Sequence, residues 1–265
     1  MEDKLRRLIS ANIMKWKIDH DLELDLGIPT SNSMAFTGID VFGQGLASVY
    51  SGMYGNGGKG SGFDLTDRAG RAWEVKTLCL CQPWRCRGCT RRSPWSSEVC
   101  VHCGSAELER MDDSRFGIKA DAHVKYADSL EAYCLIAVNY SAERECYTID
   151  MWEIRCDNPY FQLYVKTQHE NGSSTCNMLP RKYDFYMSGP EHVLHVDFTL
   201  DGGIVAMSLE RSIEKMPVHL LRKEEAALVS ADAVDGCVDY SVCAAKLTIR
   251  AKAHGKERGE TTRRH

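Results

Sequence analysis

The sequence predicts an α/β fold with one core carrying insertions. Three observations point there. At 265 residues the chain is long for one small domain and short for two large ones. Leu5, Leu8, Ile9, Ile13 and Trp16 recur at helical spacing near the start. Tyr133-Cys134-Leu135-Ile136-Ala137-Val138 is a continuous apolar run bounded by polar residues, which suits a strand buried on both faces.

Composition narrows the functional classes. A net charge of −4 counts against a polycationic coat for nucleic acid, though not against an enzyme whose basic contacts are local. The chain opens Met1-Glu2-Asp3-Lys4, with no apolar leader, and no run approaches the roughly 18–20 apolar residues of a membrane span. These features predict a cytoplasmic protein without membrane contact. In that setting the twelve cysteines read first as metal ligands, not as a disulfide framework.

Taken in order, the apolar spacing predicts a helix over residues 3–18, a break over 19–29 and a second helix over about 42–54. In the second, Leu46, Val49, Tyr50 and Met53 share a face. Residues 55–62 are glycine-rich and predict a loop entering a strand. They lack the G-x-x-x-x-G-K-[ST] order of a phosphate-binding loop.

A hairpin follows, from Phe63 to Thr77, and its register decides the functional argument. A two-residue turn at Arg68-Ala69 would set Asp64 opposite Trp73 and point Asp64 and Glu74 apart. A three-residue loop, Arg68-Ala69-Gly70, pairs Asp67 with Arg71 and sets Asp64 opposite Glu74. Glycine at the third loop position favours the latter, since that position takes a left-handed backbone. Alternation then carries Lys76 to the face of Glu74, about 6–7 Å along the strand. Trp73 and Val75 fall on the opposite face and suit a core. Two carboxylates and a lysine so placed fit hydrolysis of a phosphodiester. Mg²⁺ held by Asp64 and Glu74 would offset the charge that attack builds and activate a water. Lys76 would orient the nucleophile, help deprotonate it or steady the phosphate.

Residues 79–113 read as an insert. Cys86-Arg87-Gly88-Cys89 and Cys100-Val101-His102-Cys103, ten residues apart, are two knuckles whose four thiolates suit tetrahedral Zn²⁺. A segment this small needs such a staple in place of a core. Cys79, Cys81 and His102 are alternative ligands.

Beyond the insert, residues 114–126 predict the lead into a helix ending near 130. Residues 147–155 predict a strand. Asn158 caps a helix that has Pro159 at its first position and runs to about 170. Residues 171–177 read as a polar loop. Residues 192–199 and 204–209 form a hairpin around Asp201-Gly202-Gly203. Residues 218–229 predict a short helix, and the basic tail 250–265 predicts disorder.

The pair Phe63-Asp64 and Glu74-Val75-Lys76 resembles the PD-(D/E)xK nuclease motif, with Phe63 in place of the proline. The resemblance implies catalytic roles for Asp64, Glu74 and Lys76, with Mg²⁺ on the two acids and help from Gln44 on the preceding helix. It implies a restriction-endonuclease-like core, a central mixed sheet flanked by helices over roughly residues 40–155. The rest of the chain looks like type II restriction endonucleases, of the MamI-like group. The likeness implies double-stranded DNA as substrate and a homodimer. The whole of 1–265 would then form a single restriction-endonuclease-like domain. For DNA contact the residue types favour the polar segment with Asn177, Arg181, Lys182 and Asp184 as base readers, and Arg91 and Arg92 of the insert as phosphate clamps. The competing classes are a repair or recombination nuclease that reads DNA structure and a noncatalytic zinc-dependent DNA-binding protein.

Overall fold

A computed structural model describes residues 1–26, 36–55, 63–81, 84–93, 97–110, 115–120, 129–141, 143–221 and 234–239. The elements in chain order are α1 (Glu2–Leu26), α2 (Ile39–Ser51), β1 (Tyr54–Gly55), β2 (Leu65–Thr66), β3 (Ala72–Cys79), β4 (Trp84–Cys86), β5 (Arg92–Ser93), β6 (Leu108–Arg110) and β7 (Phe116–Lys119). They continue with β8 (Leu130–Ser141), β9 (Cys146–Arg155), α3 (Pro159–Glu170), β10 (Thr175–Met178), α4 (Tyr183–Met187), β11 (Glu191–Thr199), β12 (Gly203–Ser208), β13 (Ser212–Ile213), β14 (Lys215–Pro217) and β15 (Cys237–Asp239). The mixed α/β class read from the sequence is the class observed. Among the described residues no helix is long and apolar enough to cross a membrane.

One sheet organises the chain, in the order β1-β2-β3-β8-β9-β11-β12, with β13 also on β11. Only β3 and β8 pair in parallel; the other neighbours are antiparallel, so the sheet is mixed. A parallel pair needs a long crossover, and this one contains β4 to β7. β8 and β9 are buried almost along their length because both faces are covered. On one face α1 and α2 bring Leu5, Ile9, Ile13, Trp16, Phe42 and Leu46 against Val75, Cys134, Ile136, Met151 and Val196. Tyr133, Leu135, Trp152 and Ile154 take the other face by strand alternation. They pack there on Phe116, Ile118, Phe161, Phe185 and Met216.

Most predicted elements stand where the pattern placed them, and α3 does so to the residue. Asn158 Oδ1 accepts from the amides of Tyr160 (2.9 Å) and Phe161 (3.4 Å), and Pro159 occupies the first position. Three predictions are corrected. α1 does not break after 18 but continues to Leu26, since nothing before Gly27 and Pro29 forbids a helix. Residues 116–119 are strand, not helix lead, and residues 175–178 are strand, not loop, because the two segments pair with each other as β7 and β10. After the short turn of 3₁₀ helix at Val218–Leu220, the rest of the predicted helix lies outside the described residues. So do the glycine loop beyond Gly55, residues 121–128 and the tail 250–265.

Gly43 explains how closely α2 approaches the sheet. A Cβ built on it would lie 2.0 Å from Thr77 Cγ2 and 3.3 Å from Ile136 Cδ1. Thr77 is β-branched and stiff, so relief requires the helix to move away from β3. Gly43→Ala is therefore expected to destabilise the protein by about 1–3 kcal/mol, read as a lower urea midpoint with unchanged slope. An unaltered midpoint would contradict this packing.

Candidate functional site

The hairpin has the three-residue loop. Asp67 N donates to Arg71 O at 3.0 Å, and Gly70 is left-handed with φ of 80°. The register pairs Leu65 with Trp73 and Thr66 with Ala72, so one further step sets Asp64 across from Glu74. Strand β2 begins just after Asp64, and the carboxylate reaches the edge of β3, where Asp64 Oδ2 accepts from Val75 N at 2.8 Å. The other oxygen, Oδ1, accepts from Gln44 Nε2 at 2.9 Å. Gln44 directly follows Gly43, so the tight helix–strand approach is what brings its amide to the hairpin. Lys76 Nζ is ion-paired with Glu74 Oε1 two residues earlier.

Glu74 sits at the rim of the second core. Its neighbour across the strand pair is Tyr133, whose hydroxyl is pushed upward by burial first, then by Cys156 and Glu74. The polar end of the face thus meets an apolar wall. A carboxylate offers about four lone-pair sites. The two hydrogen bonds to Asp64 leave others free, and Glu74 keeps its second oxygen. Hard oxygen donors of this kind suit Mg²⁺.

The insert brings its four cysteines together. Cys86 and Cys103 Sγ lie 3.6 Å apart, Cys89 and Cys100 Sγ 3.5 Å apart, and all four sulfurs fall within 4.8 Å of one another. A tetrahedron with Zn–S near 2.3 Å requires sulfurs about 3.8 Å apart. The two knuckles repeat one backbone pattern. Thr90 N donates to Cys86 O and Gly104 N to Cys100 O, while Cys86 N and Cys100 N donate to Arg91 O and Ser105 O. Both fourth residues are left-handed, Thr90 with φ of 61° and Gly104 with φ of 71°. Contact with the Ser93 hydroxyl pulls the Cys100 thiol down to about 5. The Ser105 amide would lower Cys103, but contacts with Cys86 and Cys89 push it up to about 12. Sulfurs this crowded cannot all ionise without a cation among them, and the donor set fits zinc. Of the alternative ligands, His102 Nε2 lies 3.1 Å from Arg92 O, and Cys79 Sγ 3.9 Å from Cys81 O.

The remaining predicted residues are surface groups. Arg91 and Arg92 are exposed on the insert. Asn177 on β10, Arg181 and Lys182 in the following turn, and Asp184 in the first turn of α4 are exposed too. Arg181 has a left-handed backbone, φ 58°, and its Nη2 reaches Asp150 Oδ2 at 3.5 Å.

That contact leads to a cluster the sequence reading did not select. Asp150, His192 and His195 converge on β9 and β11. Burial would raise the Asp150 carboxyl, but hydrogen bonds with His192 and His195, and the Arg181 charge, hold it well below the usual carboxylate range. His195 is raised in turn, chiefly by Asp150. The available signal was a lone carboxylate within the apolar stretch Ile149-Asp150-Met151, together with two histidines on a predicted strand.

Comparison with known families gives a match. The family model described as MamI restriction endonuclease matches residues 30–213, which include the hairpin, the insert and the central strands. No curated protein and no solved structure matches the chain.

Proposed function

Because the chain belongs to the MamI restriction endonuclease family, and so is a nuclease of restriction type acting on DNA, we propose that it is a Mg²⁺-dependent type II enzyme. It would cut double-stranded DNA at a specific sequence. The observation that carries this reading is the hairpin, where Asp64 stands opposite Glu74, Gln44 holds Asp64, and Lys76 lies beside Glu74. Asp64 and Glu74 would hold the metal. When bound there, Mg²⁺ supplies positive charge to the scissile phosphate and acidifies a water. Val75 N and Gln44 fix the Asp64 carboxylate in place before any substrate arrives, which saves ordering it later. Lys76 keeps a cation at the same spot, aimed at a nucleophile or a phosphate oxygen.

The four cysteines would hold structural zinc, and Arg91 and Arg92 beside them would clamp phosphates. Asn177, Arg181, Lys182 and Asp184 would read bases; Arg and Asn suit guanine and adenine edges. The chain would act as a cytoplasmic homodimer, one site per strand. It would form a single domain over residues 1–265, with 79–113 as its insert and 250–265 as a disordered tail. Plasmid and phage DNA incubated with the protein and Mg²⁺ should give discrete fragments, abolished by chelator. No cleavage of several unmethylated DNAs would sink the proposal. So would preference for nicks or junctions over intact duplex.

A further inference from the structure

We propose that Asp150, His192 and His195 form a further metal centre, separate from the hairpin and from the cysteine cluster, for a divalent transition metal of the zinc class. Asp150 Oδ1 lies 2.7 Å from His195 Nδ1 and 3.0 Å from His192 Nε2. One carboxylate oxygen therefore faces two ring nitrogens, and the three ligand atoms fall within 4.8 Å of one another. Two imidazoles and a carboxylate are the donors borderline metals take, with a fourth position left open. Here the open side is solvent: the histidine side chains are 20% and 24% exposed, against 6% for Asp150.

The strands build this convergence deliberately. His195 pairs directly with Asp150. Residues three apart on a strand point to opposite faces, so His192 would normally face α1 and α2. A bulge between His192 and Leu194 turns it back onto the face of His195.

An outer layer supports the tautomer a ligating His195 needs. His195 Nε2 lies 3.1 Å from Asp197 Oδ1, and Arg144 Nη1 grips both oxygens of Asp197 at 2.7 and 2.8 Å. A carboxylate on the far nitrogen is the usual support for a ligating histidine. With the proton of His195 on Nε2, Nδ1 points a lone pair at the Asp150 oxygen, and a metal ion taking the place of a second ring proton would bridge the two. Neither arginine fills that position. Arg144 lies on the far side, against Asp197 and 3.4 Å from His195 Nε2, and Arg181 is 56% exposed and 3.5 Å from the other Asp150 oxygen.

The site is too distant to be a catalytic metal position. Along the paired strands Asp150 aligns with Ala137, which aligns with Leu78. Asp150 is then two strands across and four residues along from Glu74, roughly 16 Å away at about 4.8 Å per strand and 3.3 Å per residue.

The test counts metal and does not depend on nuclease activity. The full chain, loaded with zinc and desalted, should retain two equivalents by plasma mass spectrometry. A His192→Gln, His195→Gln double variant should lose one, and a Cys86→Ser, Cys100→Ser variant the other. Asp197→Asn should weaken the first of these sites about 10–100-fold. Should the histidine variant fail to fold by circular dichroism, cobalt titration of the unaltered chain decides. A second equivalent should add visible d–d absorption without further thiolate-to-cobalt charge transfer. A folded histidine variant with unchanged zinc content, or a second cobalt that leaves no such absorption, overturns the proposal.

Discussion

Glu74→Gln should lower the single-turnover rate of Mg²⁺-dependent DNA cleavage on the order of 10²–10³-fold or more while leaving the fold intact. The substitution keeps the size of the side chain and removes its charge. Glu74 is part-exposed and, among the described residues, makes its ion pair with Lys76 two residues on; a pair of this kind contributes little to stability. In the proposed site it would hold charge against a developing phosphoryl charge, and losing one preorganised group of that sort costs about 10²–10³ in rate. Asp64→Asn is a less clean probe, because Asp64 also caps Val75 N and accepts from Gln44. Gln44→Ala should cost about tenfold. Its bond to Asp64 is exposed and falls at the low end, about 1.5 kcal/mol, for hydrogen bonds to charged groups. Unchanged cleavage by Glu74→Gln, with the same thermal midpoint as the parent, would remove Glu74 from the chemistry.

The local signals explain why this hairpin was legible in the sequence. Gly70 alone selects the loop length, loop length sets register, and register sets which acids face each other. Asn158-Pro159 likewise reports its own helix start, and two C-x-x-C pairs report their knuckles. What stayed hidden depends on partners far along the chain. Gly117 and Lys119 flank Ile118 in a pattern too short to type alone, and it became a strand because Thr175–Met178 lies beside it. Towards the acidic end of α1, Ile18 and Leu22 are exposed, yet the helix persists. Lys17 ties it to Asp21 one turn on and to Asp201 in the β11–β12 turn, at 2.9 and 2.7 Å. The Asp150 cluster rests on a bulge, which no period-two reading of β11 places.

Removing metal from the four-cysteine cluster should unfold the insert and spare the sheet. Between Trp84 and Arg110 the buried residues among those described are Cys86, Ser93 and Cys100. Two of these three belong to the cysteine cluster, and none is an aliphatic or aromatic side chain. The strands β4, β5 and β6 are two or three residues long, too short to stand alone. Without apolar burial, little offsets the conformational entropy of ordering the segment. Structural zinc in small fingers supplies about 10–16 kcal/mol, enough to decide the state of this insert. The two apolar layers on the main sheet draw on residues outside it, so they should persist. Trypsin offers a direct readout, since Arg85, Arg87, Arg91 and Arg92 all lie within the insert. With metal bound the knuckles should resist cleavage. After chelation, or in Cys89→Ser, cuts should concentrate at these arginines while hydrogen exchange in β8 and β9 stays slow. Affinity for duplex DNA should fall as well, more steeply at low salt, because Arg91 and Arg92 lose their fixed positions. An identical tryptic pattern with and without metal would show that the insert holds its shape by other means.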